Sequence, residues 1–123
     1  MTPSTEAPAP AHIVATDDDP KLLAELTYTL RHAGYTVFAI YNGVYAAEAA
    51  LRVPRLDLLI ANTRMQGMSL VELIRSVRDG RPGLPIMHVG EPLDESFTGV
   101  ANLSEPWTDE QLLNLVGELV NPR

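Results

Sequence analysis

The six residues Leu56–Ala61, Leu-Asp-Leu-Leu-Ile-Ala, carry a single polar side chain, Asp57. So short an apolar run is far from a membrane span and has the length of a strand. A strand apolar on both sides must be covered on both sides, which is the situation of a central strand in a parallel sheet flanked by helices. The rest of the chain repeats the theme. Residues 12–16 run apolar into Asp17-Asp18-Asp19-Pro20, where Asp19 is a good helix N-cap and Pro20 suits the first helical position. Leu22, Leu23, Leu26 and Leu30 then recur at helical spacing up to Gly34. Residues 35–41 read as a second strand, and Asn42-Gly43 turns the chain into an alanine-rich helix ending before Pro54. After a loop over residues 62–68, Ser69 caps a helix carrying Leu70, Leu73, Ile74 and Val77 as far as Gly80. Residues 85–89 and 100–104 are the fourth and fifth strands, and Thr108 opens a last helix with Leu112, Leu113, Val116, Leu119 and Val120 on one face. Strands alternating with helices at these spacings predict an α/β, flavodoxin-like three-layer sandwich around a five-stranded parallel sheet of order 2-1-3-4-5.

Composition narrows what such a sheet can do. The 123 residues make one domain, expected over residues 12–123, preceded over residues 1–11 by a segment with Pro3, Pro8 and Pro10 that reads as a flexible tail. The formal net charge is −7, and the basic residues, Lys21 and eight arginines, are scattered, so nucleic acid is excluded as a direct partner. Without cysteine there is no disulfide framework and no thiolate chemistry. The N-terminal segment lacks the basic start and apolar run of a signal peptide, and no stretch approaches a membrane helix. The expected state is a cytoplasmic protein, monomeric or weakly homodimeric, with no membrane partner.

In a sheet of this order ligands sit outside the C-terminal strand ends. Those ends carry Asp17-Asp18, Asn62, Gly90 and Glu105. With Ile13-Val14-Ala15-Thr16-Asp17-Asp18-Asp19-Pro20, Gly67-Met68 and Glu105-Pro106-Trp107 in order, the sequence from His12 to about Val120 resembles a response-regulator receiver domain, the phosphoacceptor module of two-component signalling. The resemblance implies a Mg²⁺-holding acidic pair after the first strand and a phosphoacceptor aspartate after the third. It also implies a Ser or Thr after the fourth strand, a lysine after the fifth, and a cis peptide before the proline that follows that lysine. Asp17 and Asp18 fill the acidic pair, but Asn62 stands in place of the acceptor, Gly90 of the hydroxyl and Glu105 of the lysine. Asn102 takes the switch position where an aromatic is usual.

Each change has a chemical meaning. A neutral carboxamide cannot act as the anionic nucleophile that forms an acyl phosphate. Gly90 offers no hydroxyl, and Glu105 puts an anion where a cation would stabilise phosphoryl charge. Three nearby carboxylates repel by roughly 4 kcal/mol per pair at about 4 Å and an effective dielectric of 20, so they need a cation, a proton or a basic side chain. Arg64, two residues past Asn62, is the charge compensator nearest in sequence; the alternative for it is an ordinary exposed loop arginine. Fourteen residues separate Gly90 from Glu105, so the crossover helix between the fourth and fifth strands is expected to be short or missing.

The resulting expectation is a stand-alone, atypical pseudo-receiver. It is not an enzyme, requires no cofactor, and acts by binding other signalling proteins such as a histidine kinase, a phosphotransfer protein or an effector. The alternative is a divalent-cation-responsive receiver using Asp17, Asp18 and Glu105, with Mg²⁺ on Asp17 and Asp18, or one phosphorylated at a non-standard aspartate. His12 and His32 read as surface residues, His88 as a strand residue, and Trp107 as a packed anchor.

Overall fold

The computed structural model describes residues 11–94 and 97–120. The tail expected over residues 1–11 falls, apart from Ala11, outside them. The elements are β1 (His12–Thr16), α1 (Pro20–His32), β2 (Thr36–Ile40), α2 (Gly43–Arg52), β3 (Leu56–Ala61), α3 (Leu70–Gly80), β4 (Ile86–Val89), β5 (Ala101–Leu103) and α4 (Asp109–Val120). The five strands are parallel and ordered β2-β1-β3-β4-β5, as the alternation predicts.

The double-sided burial of β3 is what the sheet is built around. Leu58 and Ile60 point into one apolar layer with Leu23, Leu26 and Leu30 of α1 and Leu112 and Val116 of α4. Leu59 and Ala61 point into the other, with Ala46, Ala47 and Ala50 of α2 and Leu70, Leu73, Ile74 and Val77 of α3. Alternate residues thus serve opposite cores, which leaves the strand no tolerance for a register slip.

The helices begin where side chains can take their free N–H groups. Asp19 accepts from the amides of Lys21 and Leu22, and Asn42 from those of Val44 and Tyr45. Ser69 and Glu72 form a reciprocal capping box on α3, and Thr108 with Gln111 makes the same exchange at the start of α4. The loop before α3 folds against α2 so closely that a β-carbon at Gly67, at φ +86°, would lie 2.8 Å from the Asn42 carboxamide.

Between β4 and β5 no α-helix forms among the described residues. Instead the Phe97 amide donates to the Asp94 carbonyl at 3.1 Å, and the Val100 amide to the Phe97 carbonyl at 3.1 Å. Leu93, Phe97 and Val100 pack on the α2/α3 core, and Arg78 of α3 donates to the Thr98 carbonyl at 2.8 Å. The described part of the crossover is therefore a loop pinned to α3, as its length predicts.

Truncating β3 tests this arrangement. Leu59→Ala is expected to cost about 2–5 kcal/mol in urea unfolding, whereas truncating Tyr45, which is 64% exposed, should change stability by no more than about 0.5 kcal/mol.

Candidate functional site

The C-terminal ends of β1, β3, β4 and β5 converge at the mouth of the sheet. Asp17 follows β1 and is buried, with Oδ1 accepting from the Asp19 amide at 2.9 Å. The Asp18 amide donates to the Arg64 carbonyl at 3.0 Å, which ties the loop after β1 to the loop after β3. Asn62 closes β3: its amide donates to the Thr16 carbonyl at 3.2 Å, and its Oδ1 accepts from the Arg64 amide at 3.1 Å. Its Nδ2 is buried with no hydrogen-bond partner among the described residues. Glu105 follows β5, and its peptide bond to Pro106 is cis, as the resemblance implies.

Arg64 joins these groups. Its Nη2 lies 3.4 Å from Asp17 Oδ2 and 3.3 Å from Glu105 Oε2. The guanidinium thus faces two carboxylates of the pocket, with its side chain 44% accessible. Among the described residues no three His, Asp or Glu side chains group as a metal ion would require. Of the set Asp17, Asp18 and Glu105, two members face a guanidinium.

The two ends of the Asp17–Arg64 pair feel it differently. For Asp17 the largest influence is burial, which pushes the carboxyl above its ordinary 3.8 despite the Asp19 amide and Arg64, with Asp18 adding to the rise. Burial also works against the Arg64 charge, but Asp17 and Glu105 outweigh it and hold the guanidinium above its usual range. The asymmetry follows from exposure. The Arg64 side chain is 44% accessible and the Asp17 side chain 9%, so the aspartate gives up more hydration than one contact at 3.4 Å returns.

Gly90 follows β4 at φ +145°, its amide donating to the Leu103 carbonyl at 2.9 Å. Asn102 lies beside it on β5 with Nδ2 donating to the Gly90 carbonyl at 3.4 Å and to Ser104 Oγ at 3.2 Å. Its Oδ1 accepts from His88 Nδ1 at 2.6 Å. His88, by its sequence simply a strand residue, is 1% exposed and bonded at both ring nitrogens. The signal that could have found it is a histidine within the run Ile-Met-His-Val, all four residues buried, in register with Asn102. His32 is exposed and His12 half-buried, stacked on Phe38. Trp107 packs against the α1/α4 core as expected.

Because the folded state holds the Asp17 proton more tightly than the unfolded chain does, the ionised carboxylate subtracts stability, and the loss develops as pH rises from about 3.8 through the folded-state value. Asp17→Asn should therefore melt at or above the wild-type temperature at pH 7, with the difference vanishing below pH 3.8. Arg64→Ala should lower stability at pH 7 by no more than about 1 kcal/mol, given the exposure of the guanidinium, and should lose most of that effect in an Asp17→Asn background. Thermal melts across pH check both.

No family model matches the chain. Over 78 residues, 63% of the chain, it is 33% identical to the transcriptional regulatory protein GlrR of Escherichia coli, and over a stretch of equal length it is 28% identical to the probable transcriptional regulatory protein TcrX of Mycobacterium tuberculosis. The chain spans 17% of the first protein's length and 33% of the second's. Among solved structures, a response regulator receiver protein from Sinorhizobium medicae superposes with a TM-score of 0.80 at 27% identity, covering 92% of this chain and 96% of that one. The chemotaxis protein CheY4 of Vibrio cholerae shares the fold with a TM-score of 0.80 at 24% identity, covering 90% of this chain and 99% of its own. Fold and sequence similarity together support a receiver domain of two-component signalling, CheY-like in architecture.

Proposed function

We propose that this chain is a pseudo-receiver. It keeps the receiver scaffold, does not take a phosphoryl group by the usual aspartyl route, and works by binding other signalling proteins instead of by catalysis. The observation that carries the reading is the state of Asn62. Its side chain is neutral, its oxygen is engaged by the Arg64 amide, and the guanidinium two residues on already lies between Asp17 and Glu105. A phosphoryl donor would find no nucleophile at the end of β3, no hydroxyl at Gly90, and the Glu105 carboxylate 3.3 Å from the nearest cation.

The charges also bear on partner class. The acidic first turn of α4, Asp109 and Glu110, and the absence of a basic residue in its last turn suit a basic protein surface and disfavour nucleic acid. The proposed contact surface is α4 together with the crossover before β5. Among the described residues no helix is long and apolar enough to cross a membrane. A cytoplasmic setting among kinases, phosphotransfer proteins or effectors fits a receiver scaffold.

Incubation with acetyl phosphate and Mg²⁺, followed by intact mass measurement, tests the reading. The expected result is no stoichiometric gain of about 80 Da and no change in Trp107 fluorescence. A stoichiometric adduct would overturn the proposal. A Mg²⁺-dependent fluorescence change without an adduct would replace it with the cation-responsive reading.

A further inference from the structure

We infer that His88 fills the space that a side chain at position 90 would need, and that through Thr63 and Asn102 it braces the pocket ends of β3, β4 and β5 in one arrangement. The neutral imidazole has one donor and one acceptor nitrogen, and a buried ring must satisfy both. Because the Asn102 amide nitrogen already donates to Gly90 and Ser104, its Oδ1 is the acceptor and His88 Nδ1 carries the hydrogen. His88 Nε2 then accepts from Thr63 Oγ1 at 3.1 Å. The ring thereby spans from the loop after β3 to β5, crossing β4 on the way.

Position 90 depends on this ring. A β-carbon there would lie 3.2 Å from His88 Cε1, 3.4 Å from Nε2 and 3.5 Å from Asn62 Nδ2, and the φ of +145° itself disfavours any side chain. A hydroxyl-bearing residue could enter only if the backbone turned and the imidazole moved. Any shift of the imidazole is felt at once by its bonds to Thr63 and Asn102.

The chain Thr63–His88–Asn102–Ser104 ends on two residues whose next neighbours are Arg64 and Glu105, and those two form the ion pair in the pocket. The same pair of loops is therefore tied twice, once by neutral hydrogen bonds through the sheet and once by charge at its mouth. The role of this double tie as a signalling lock rests on the pseudo-receiver reading.

Amide hydrogen exchange on the full chain tests the brace. Asn102→Ala leaves the ring in place but removes its partner on β5. The expected result is exchange at least about tenfold faster at Gly90 on one side and at Asp18 and Arg64 on the other. Acceleration confined to β5 would overturn the proposal. A second arm reads the packing: Gly90→Ser should lower the melting temperature by about 5 °C or more in the wild-type background and by clearly less with His88→Ala, or with His88→Asn where the alanine variant does not fold. Equal losses in both backgrounds would also overturn it. A phosphoryl adduct on the wild-type chain would sink the pseudo-receiver reading and leave both of these readouts unmoved, so the two failures are distinguishable.

Discussion

A buried carboxylate at the end of the first strand sets the terms for everything around it. Asp17 is 6% exposed, so its charge needs a partner, and the chain supplies one from the loop after β3 instead of from β5. Once Arg64 reaches Asp17 it also reaches Glu105, and three strand ends become electrostatically one unit. The Asp18 amide on the Arg64 carbonyl and the Arg64 amide on Asn62 hold the arginine's own backbone in place, so its side chain starts from a fixed point. The ordering of the pocket thus comes from the polypeptide itself. That is why a neutral residue at position 62 and an acid at position 105 are compatible with a well-formed site.

Much of the architecture was legible because it rests on local patterns with one physical solution. The near-continuous apolar run of β3, the cap residues Asp19 and Ser69, the Asn42-Gly43 turn, and the short interval between Gly90 and Glu105 each pointed to the element that forms. The substituted strand ends were legible for the same reason, since topology brings Asp17, Asn62, Gly90 and Glu105 together whatever their chemistry. What sequence could not rank was the aim of side chains. The local sequence leaves Arg64 free to face pocket or solvent, and the carboxylates it meets, Asp17 and Glu105, lie far off along the chain. His88 was harder still, because its partners lie 25 and 14 residues away, and the sequence marks Asn102 only as the switch position and Thr63 not at all.

The two layers of the molecule also divide the work. On the α1/α4 side the core is built from leucines and valines with Trp107 at its edge. On the α2/α3 side alanines let α2 lie close, and the crossover loop lays Leu93, Phe97 and Val100 over the far end. That second side is where a helix between β4 and β5 would have packed, and Arg78 on the Thr98 carbonyl now holds the loop to α3 instead.

The contact between the His88 ring and the bare backbone of Gly90 also bears on how such a pocket could change over generations. With the imidazole in place, a larger residue at position 90 meets a tight contact and a disfavoured backbone angle. With the glycine in place, loss of the imidazole leaves a void beside it and frees Thr63 and Asn102 from their shared partner. Either single change passes through a less stable protein, so the two positions are free to change only together.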